Sequence, residues 1–241
     1  MSFKTPENPP QFKLNQTNTL LKVVTDFRYL GHNCSSKDKS YFLDAQVQAA
    51  HTAFNRHKIT LTNKHTSIKN RITLYESLVR SVMLYSVQAW DLTKAQKYRL
   101  EVTDKSFLRK IIGKGWKDRQ IFSKDENGET KIEFEPLISD KRLYEITHTV
   151  PIQDFITKQF LKFTAHVSRM PNSNVQKRLQ FIVAKNQGQE NIWSRCGKYL
   201  GGIDEIQVRK LMQDRGKFRR EIEARFGTRR STQSKKTKVS G

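Results

Sequence analysis

Residues 68–90 read IKNRITLYESLVRSVMLYSVQAW, and this stretch decides the fold class. Large apolar side chains recur in it at intervals of three and four residues, at Ile68, Ile72, Tyr75, Leu78, Val79, Val82, Met83 and Trp90. This spacing places them on one face of an α-helix, whereas a half-buried strand would show strict alternation. The stretch therefore predicts a long helix with a broad apolar face.

Two flanking segments have the same helical period. The first begins at Ser40 and has its apolar positions at Phe42, Val47, Ala49, Ala50 and Phe54. The other runs from about Lys94 to Ile112, and its inward-facing apolar residues are Leu100, Phe107, Leu108 and Ile111. Three helices with short connections predict a small bundle. Arg99 and Lys110 should project from nearly the same side of the third helix, away from its apolar face.

The segment before the bundle favours β-structure. Residues 1–10 contain three prolines and should be irregular, while residues 12–14 and 19–24 are β-prone runs around a polar turn. Residues 27–31, FRYLG, alternate like a further strand, and Gly31 permits a turn or a close backbone approach. The fold class predicted is therefore mainly α, with a short N-terminal β-hairpin, a helical bundle and further C-terminal helices.

The C-terminal half is patterned less clearly. Residues 118–136 are polar, with a turn at 125–128, and predict a loop between modules. Helical character returns at 139–148 and at 151–169, where Pro151 suits a first helical turn, whereas 187–202 is loop-like. We expect four units, at residues 1–36, 37–119, 120–200 and 201–241.

A last helix is predicted from Asp204 to Phe226. Asp204 followed by Gln207 is typical of a capping box at a helix start. One side of this helix is apolar, with Val208, Leu211, Phe218, Ile222 and Phe226. The other side is basic, with Arg209, Lys210, Lys217 and Arg220. The Ser-, Thr-, Lys- and Arg-rich tail from Thr228 is expected to be disordered.

The charge of the chain indicates an anionic partner. Its 45 Lys and Arg residues against 23 Asp and Glu residues leave a formal net charge of +22 over 241 residues. Like charges repel and gain nothing in folding, so a polyphosphate partner is the economical explanation, and non-specific contact of a basic protein with nucleic acid is the alternative. No run approaches the roughly 20 apolar residues of a membrane span. No secretory signal is evident at residues 1–10, and the two cysteines, Cys34 and Cys196, make neither a disulfide framework nor a zinc site, so an intracellular location, nuclear or cytoplasmic, is expected.

No pattern for catalysis is found in these residues. Paired aspartates on a hairpin, phosphate-binding glycine loops, GxSxG and HExxH are all lacking. His32 and Cys34 are only two potential ligands, and Cys196, His148 and His166 lack metal-site spacing. Asp204 and Glu205 could be read as nuclease carboxylates, but the capping interpretation is favoured. We therefore predict no catalytic residue, metal ligand or cofactor in this chain.

Fragments at residues 27–31, 74–90, 92–119 and 165–171 resemble, in this order, the reverse transcriptases of non-LTR (LINE-type) retrotransposons. FRYLG at 27–31 is similar to the family's FKYLG primer grip, and residues 74–90 resemble its thumb pattern LYxSLVRSVLLYGAExW. In the latter, Ser86 replaces the glycine and Gln88-Ala89 the acidic pair. LTK at 92–94, RLE at 99–101 and FLRKIIG at 107–113 match the family, as does WKDR at 116–119. AHVSRMP at 165–171 is similar to its GHVxRMP.

The resemblance implies a part of a polymerase that holds nucleic acid. In that family the catalytic aspartates and their Mg²⁺ belong to the palm, upstream of the primer grip, so this chain would be inactive alone. Tyr29 and Gly31 would shape the primer grip, although Phe27 and Tyr29 could equally be ordinary strand aromatics. The residues implied in contacts with the duplex backbone are Arg99, Arg109, Lys110, Lys114, Lys117 and Arg119. Arg80 would contact phosphate or only form a surface salt bridge with Glu76.

Two functions from different classes remain open. The first is the primer-grip, thumb and post-thumb part of an RNA-directed DNA polymerase, which binds an RNA–DNA primer–template and pairs with a separately supplied palm and fingers. The second is an independent, non-enzymatic RNA- or DNA-binding protein derived from a retroelement. In either case the basic face with Arg209, Lys210, Lys217 and Arg220 would add affinity without sequence specificity.

Overall fold

The computed structural model describes residues 24–29, 32–35, 41–90, 92–115, 117–124, 130–181 and 191–227. Within these residues the chain is mainly helical, as the sequence predicts, and it contains two separate two-stranded antiparallel sheets. The tail from Thr228 lies outside the described residues, as does nearly all of the hairpin predicted at 12–24.

The N-terminal sheet is a hairpin. Strand β1 (Asp26–Tyr29) pairs antiparallel with β2 (His32–Ser35), and Tyr29 lies opposite His32. The strand predicted at 27–31 is therefore present as far as Tyr29. Its partner follows it in the chain, whereas the sequence suggested a separate hairpin before it.

The helical bundle forms as predicted, with α1 (Tyr41–Arg56), the short α2 (Lys58–Thr62), α3 (Ile68–Tyr75) and α5 (Lys94–Ile111), and with α4 (Ser81–Met83) before α5. Local signals set where the helices begin. The Ser67 hydroxyl accepts from the Asn70 N–H at the start of α3, and Thr93 and Gln96 form a reciprocal capping box at the start of α5.

The helix predicted from residue 68 to Trp90 ends earlier than expected. Five residues with π-helical hydrogen bonding, Glu76–Arg80, join α3 to α4, and α4 ends at Met83. Ser86 then adopts a left-handed conformation, with φ 59°, before a 3₁₀ turn at Val87–Ala89. A side chain disfavours that conformation, whereas glycine adopts it readily. Ser86 occupies the glycine position of the thumb pattern that residues 74–90 resemble.

One hydrophobic core lies between these helices. The rings of Phe54 from α1 and Phe107 from α5 stack with their centroids 4.7 Å apart. Tyr75 from α3 is fully buried beside them, and Trp90 is also buried. Arg71 of α3 donates to the carbonyl of Ile111, where it satisfies a free carbonyl at the end of α5.

Residues 118–136 are not the predicted loop. They form a second hairpin, in which β3 (Gln120–Lys124) pairs with β4 (Thr130–Phe134) and Phe122 lies opposite Ile132. The predicted turn at 125–128 falls between the strands and outside the described residues. Both strands are largely exposed, so their sequence lacks the buried, apolar alternation by which a strand is recognised.

The remaining chain is helical: α6 (Asp140–Thr147), α7 (Ile152–Ser168), α8 (Val175–Phe181), α9 (Ile192–Tyr199), α10 (Glu205–Gln213) and α11 (Arg215–Phe226). The predictions at 139–148 and 151–169 are confirmed, with Pro151 one position earlier than expected, at the N-cap. The predicted loop at 187–202 was wrong, because it contains α9. The predicted last helix is two helices, since Asp214 has an extended backbone and caps α11 by accepting from the Lys217 N–H.

A second hydrophobic core lies among α7, α9, α10 and α11. It contains Leu161, Ala165, Trp193, Cys196, Leu200, Val208, Met212, Phe218 and Ile222. The first turns of α7 instead belong to the first core, through Ile152 and Ile156. Helix α7 therefore connects the two cores. The division of the chain into the four units expected from the sequence stays a prediction.

Candidate nucleic-acid interface

Five of the predicted site residues lie in one short segment, where α5 ends and the chain turns toward β3. The helix stops at Ile111, Gly113 adopts φ 72°, and a 3₁₀ turn covers Lys117–Arg119. The backbone N–H of Gly115 donates to the Asp118 carboxylate, with N and Oδ2 3.0 Å apart, which closes the turn. The five residues in this segment are Arg109, Lys110, Lys114, Lys117 and Arg119.

Neighbouring residues hold four of these cations in place. Arg109 is mostly buried, and its Nη2 lies 2.8 Å from Oδ1 of Asp140. Lys114 is half exposed and pairs with the Glu135 carboxylate at 3.0 Å, while Arg119 Nη1 donates to the Glu135 carbonyl at 2.5 Å. Two carboxylates thus offset part of the charge of the segment, and they hold Arg109 and Lys114 in defined positions.

Lys110 is held by aromatic rings instead of a carboxylate. Its Nζ lies 5.6 Å from the Phe54 ring centroid and 5.8 Å from that of Phe107. Both distances are within the range of a cation–π interaction. No carboxylate among the described residues forms an ion pair with Lys110. The prediction that Lys110 points away from the apolar face of α5 is therefore corrected, because the side chain lies across two rings of the core.

Arg99 lies three turns before Lys110 on α5 and is half exposed. Its guanidinium pairs with Asp44 of α1, and Lys110 contacts Phe54 of the same helix. Both side chains therefore lie on the side of α5 that meets α1, as their spacing predicted. Arg99 and Lys110 are about 16 Å apart along the axis of α5 and define a row on this side of the helix.

Arg80 is not available to phosphate in this structure, contrary to the role that the resemblance implied. It is 4% exposed, its Nε lies 3.1 Å from Oδ1 of the fully buried Asp104, and its Nη2 donates to the Val150 carbonyl at 2.6 Å. The surface salt bridge with Glu76 is present only as a 3.8 Å contact, and Arg80 itself is not at the surface. Arg80 is therefore part of the core that supports α5.

Asp104 was not singled out in the sequence, although its position carries a signal. It occurs at a helical interval between Leu100 and Leu108, on the buried face of α5. Tyr75 donates a hydrogen bond to Oδ1 of Asp104 at 2.6 Å, so the carboxylate joins two side chains of the preceding helical stretch. Burial raises the pKa of Asp104, while the charge of Arg80 opposes that shift.

Asp140 is a second carboxylate that organises the cations. It receives Lys105 Nζ on Oδ2 at 2.5 Å and Arg109 on Oδ1, and it begins α6. The hydrogen bond from Lys105 holds the pKa of Asp140 below its ordinary value, against the opposing effect of partial burial. The first turn of α6 is thereby attached to α5 through charge.

The four cations predicted on the last helix are exposed, as their pattern indicated. Arg209 pairs with Glu205 and lies over the Trp193 ring, 4.8 Å from its centroid. Lys210 and Arg220 are exposed, and Lys217 lies 3.8 Å from the Asp214 carboxylate. Asp204 caps α10, with Oδ1 accepting from the Gln207 N–H at 2.8 Å. The capping interpretation of Asp204 is therefore confirmed.

Two predicted positions are described only in part. Tyr29 ends β1, next to the turn of the N-terminal hairpin, while Gly31 lies outside the described residues. Lys117 begins the 3₁₀ turn before β3.

In the described part of the chain, no group of three or more His, Cys, Asp or Glu side chains is placed to hold a metal ion. None of the described helices is both long enough and apolar enough to cross a membrane. Cys196 is buried in the second core, and burial raises the pKa of its thiol to about 12. Its thiol is therefore an unreactive part of the core.

Fold and surface together define a mainly helical chain with cations along α5 and its C-terminal turn and on α10–α11. The chain is 31% identical over 98 residues to an uncharacterized, transposon-derived protein of Caenorhabditis elegans. The matched region is 40% of this chain and 35% of that relative, so the chain spans about a third of its length. No family model matches the chain, and no solved structure matches it. The similarity indicates a transposon origin.

Proposed function

We propose that this chain holds a nucleic-acid duplex as the thumb-containing part of a non-LTR retrotransposon reverse transcriptase. The observation that carries the proposal is the segment 109–119, where five cations lie in the last turn of α5 and in the turn that follows it. Fixed cations at the end of a bundle suit contact with a phosphate backbone. The net charge of +22 and the similarity to a transposon-derived protein support the same function.

The proposed contact recognises charge and shape and is independent of base sequence. The side chains concerned are Lys and Arg, which bind phosphate oxygens and position a duplex without reading its bases. The row from Arg99 to Lys110 leads along α5 toward this segment. A duplex lying along α5 would therefore meet Arg99, Lys110 and Lys114 in turn. An intracellular location follows from this function.

The test is binding of an RNA–DNA primer–template by the purified chain over a salt series, with primer extension assayed in the same samples. The wild-type chain should bind with a steep salt dependence and without extension. In a Lys114→Gln/Lys117→Gln variant, affinity should fall about tenfold and the logarithmic salt slope should decrease by about 2.

A charge-matched control separates this segment from general basicity. Arg56 and Lys64 are exposed cations outside the segment 109–119 but near the same end of the bundle, and Arg56→Gln/Lys64→Gln removes the same charge. Equal losses in both double variants would reduce the function to non-specific attraction. Extension that resists controls for contaminating polymerase would contradict the assignment to a non-catalytic part. Extension only after a palm is supplied separately would favour the polymerase over an independent binding protein.

A further inference from the structure

A groove of about 580 Å³ lies between α7 and α11, on the second core and away from the end of α5. None of the residues predicted from the sequence to bind nucleic acid lines it. The lining residues are Lys162, His166, Arg169, Arg215, Phe218, Arg219, Ile222 and Glu223.

The two helices contribute basic side chains at helical intervals. On α7 and directly after it, Lys162, His166 and Arg169 are four and then three residues apart, and on α11 Arg215 and Arg219 are four apart. Residues at these intervals lie on one face of a helix. The buried side chains of Phe218 and Ile222 also line the groove. The groove therefore has an apolar floor and a basic rim on both sides.

The positive charge of this rim is largely uncompensated. Among the described residues that line the groove, Glu223 is the only carboxylate, and it already binds Lys158 at 3.0 Å and Lys162 at 3.7 Å. Its hydrogen bond from Lys158 lowers the pKa of Glu223. Within the described part of the chain, Arg215 and Arg219 have no carboxylate within 4.0 Å.

Arg169 is held in place so that it adds to this charge. Its Nη1 donates to the Met212 carbonyl at 2.6 Å, which attaches the end of α7 to α10, and its buried Nε has no hydrogen-bond partner among the described residues. Burial and the nearby charge of Arg215 lower the pKa of Arg169. Two guanidinium groups that repel each other across a groove favour an anion between them.

We propose that this groove is a second nucleic-acid contact, which takes consecutive backbone phosphates of one strand. The proposal rests on the nucleic-acid function proposed above. Arg binds phosphate oxygens with two parallel hydrogen bonds, so Arg169, Arg215 and Arg219 suit this ligand. Lys162 and Arg169 are seven residue steps apart, or about 10 Å along the helix, which is the axial length of about three phosphates of one strand. A single small anion would leave most of this row unused.

The experiment compares an Arg215→Gln/Arg219→Gln variant with wild type and with the Arg56→Gln/Lys64→Gln control. Arg215 and Arg219 are exposed, and neither belongs to an ion pair of the described residues, so both should be replaceable without unfolding the chain. Binding of the RNA–DNA primer–template is measured over a salt series, and circular dichroism checks the fold. A parallel arm measures the rise in Tm caused by tripolyphosphate.

The groove variant should bind the duplex about tenfold more weakly than wild type, with a salt slope lower by about 2, while the control changes less than about twofold. Duplex binding by wild type that falls equally in both variants would overturn the groove and leave the proposed function intact. No duplex binding by wild type would contradict the proposed function itself. In that case, a tripolyphosphate effect on Tm that only the groove variant loses would reassign the groove to free polyphosphate, and an effect equal in all three proteins would overturn it for phosphate of any source.

Discussion

The guanidinium of Arg80 lies 3.1 Å from the carboxylate of Asp104, and both side chains are buried, at 4% and 0% exposure. They come from neighbouring helices of the bundle, 24 residues apart in sequence. Phe155 of α7 covers the guanidinium, with its ring centroid 5.4 Å from Cζ. This ion pair therefore joins α5, the π-helical segment before α4, and α7, and it supports the helix that carries the proposed interface.

Replacing Asp104 by Asn should lower the free energy of unfolding by about 3–5 kcal/mol. The change leaves the charge of Arg80 buried without its counter-ion. Urea unfolding followed by tryptophan fluorescence measures the effect. The exposed pair of Asp44 and Arg99 is the matched control, and Asp44→Asn should cost no more than about 1 kcal/mol.

The same ion pair should be replaceable as a unit. An Arg80→Met/Asp104→Leu variant removes both charges and should be clearly more stable than Asp104→Asn, because no unpaired charge stays buried. A double variant as unstable as Asp104→Asn would show that two hydrogen bonds contribute more to stability than the charges do. These are the bond from Arg80 to the Val150 carbonyl and the bond from Tyr75 to Asp104.

Replacing Ser86 by Gly should raise the free energy of unfolding by about 0.5–1 kcal/mol. Ser86 has φ 59°, a conformation that costs a side chain about 1–2 kcal/mol, and the extra freedom of glycine in the unfolded chain cancels part of the gain. Ser77→Gly, in the π-helical segment Glu76–Arg80, should instead lower the free energy of unfolding by about 0.5–1 kcal/mol. The same sign for both variants in thermal unfolding would contradict the role given to Ser86.

Gly197 should not tolerate a side chain. A Cβ at this position would lie 2.3 Å from the Ile203 carbonyl oxygen, so α9 and the chain leading to α10 would have to move apart. We expect Gly197→Ala to lower the free energy of unfolding by about 1–3 kcal/mol, because the added methyl group would overpack this contact. Gly216→Ala, inside α11, is the control, because its Cβ would meet only side-chain atoms, Oδ1 of Asp214 at 3.4 Å and Nη1 of Arg220 at 3.8 Å. It should stabilise by a fraction of about 1 kcal/mol.

Asp140 should make part of the stability depend on pH. Its pKa is lowered in the fold, mainly by the hydrogen bond from Lys105, so its contribution is present above the ordinary carboxyl pKa of about 3.9 and is lost as pH falls through the folded value. Wild type should exceed Asp140→Asn by at most about 1 kcal/mol at pH 7, since the carboxylate is half exposed. The difference should shrink as pH falls below about 3.9 and vanish once pH is below the folded pKa. A difference that stays unchanged throughout an acid titration in urea would rule out the ionised carboxylate as its source.

Glu135→Gln should strengthen duplex binding about two- to fivefold if the segment 109–119 contacts phosphate. The change frees Lys114 and removes a negative charge from the site. It keeps the hydrogen bond from the Glu135 N–H to the Arg119 carbonyl and the one from the Arg119 guanidinium to the Glu135 carbonyl. Glu145→Gln makes the same charge change in α6, where Glu145 pairs with Arg142, and should have little effect. Equal affinities of the two variants in a fluorescence anisotropy titration would argue against a contact at Lys114.

Much of the local structure followed from the sequence. The spacing of Leu100, Phe107, Leu108 and Ile111 placed α5 and its buried face correctly, because helical periodicity is a property of neighbouring residues. The capping residue Asp204 was identified for the same reason. The net charge of +22, which indicates an anionic partner, follows from the composition alone.

Tertiary structure decided which charges stay at the surface. Arg80 looked like a surface residue paired with Glu76, and only the packing of α5 against the preceding helix placed Asp104 beside it and removed it from solvent. The β3–β4 hairpin could not be recognised from the sequence, because both strands are largely exposed. The break at Asp214, in contrast, has a local cause, since this side chain caps α11. The groove between α7 and α11 joins residues about 50 positions apart, at Arg169 and Arg215. A spacing pattern records only what lies within a few turns, whereas burial and charge proximity depend on contacts between distant segments of the chain.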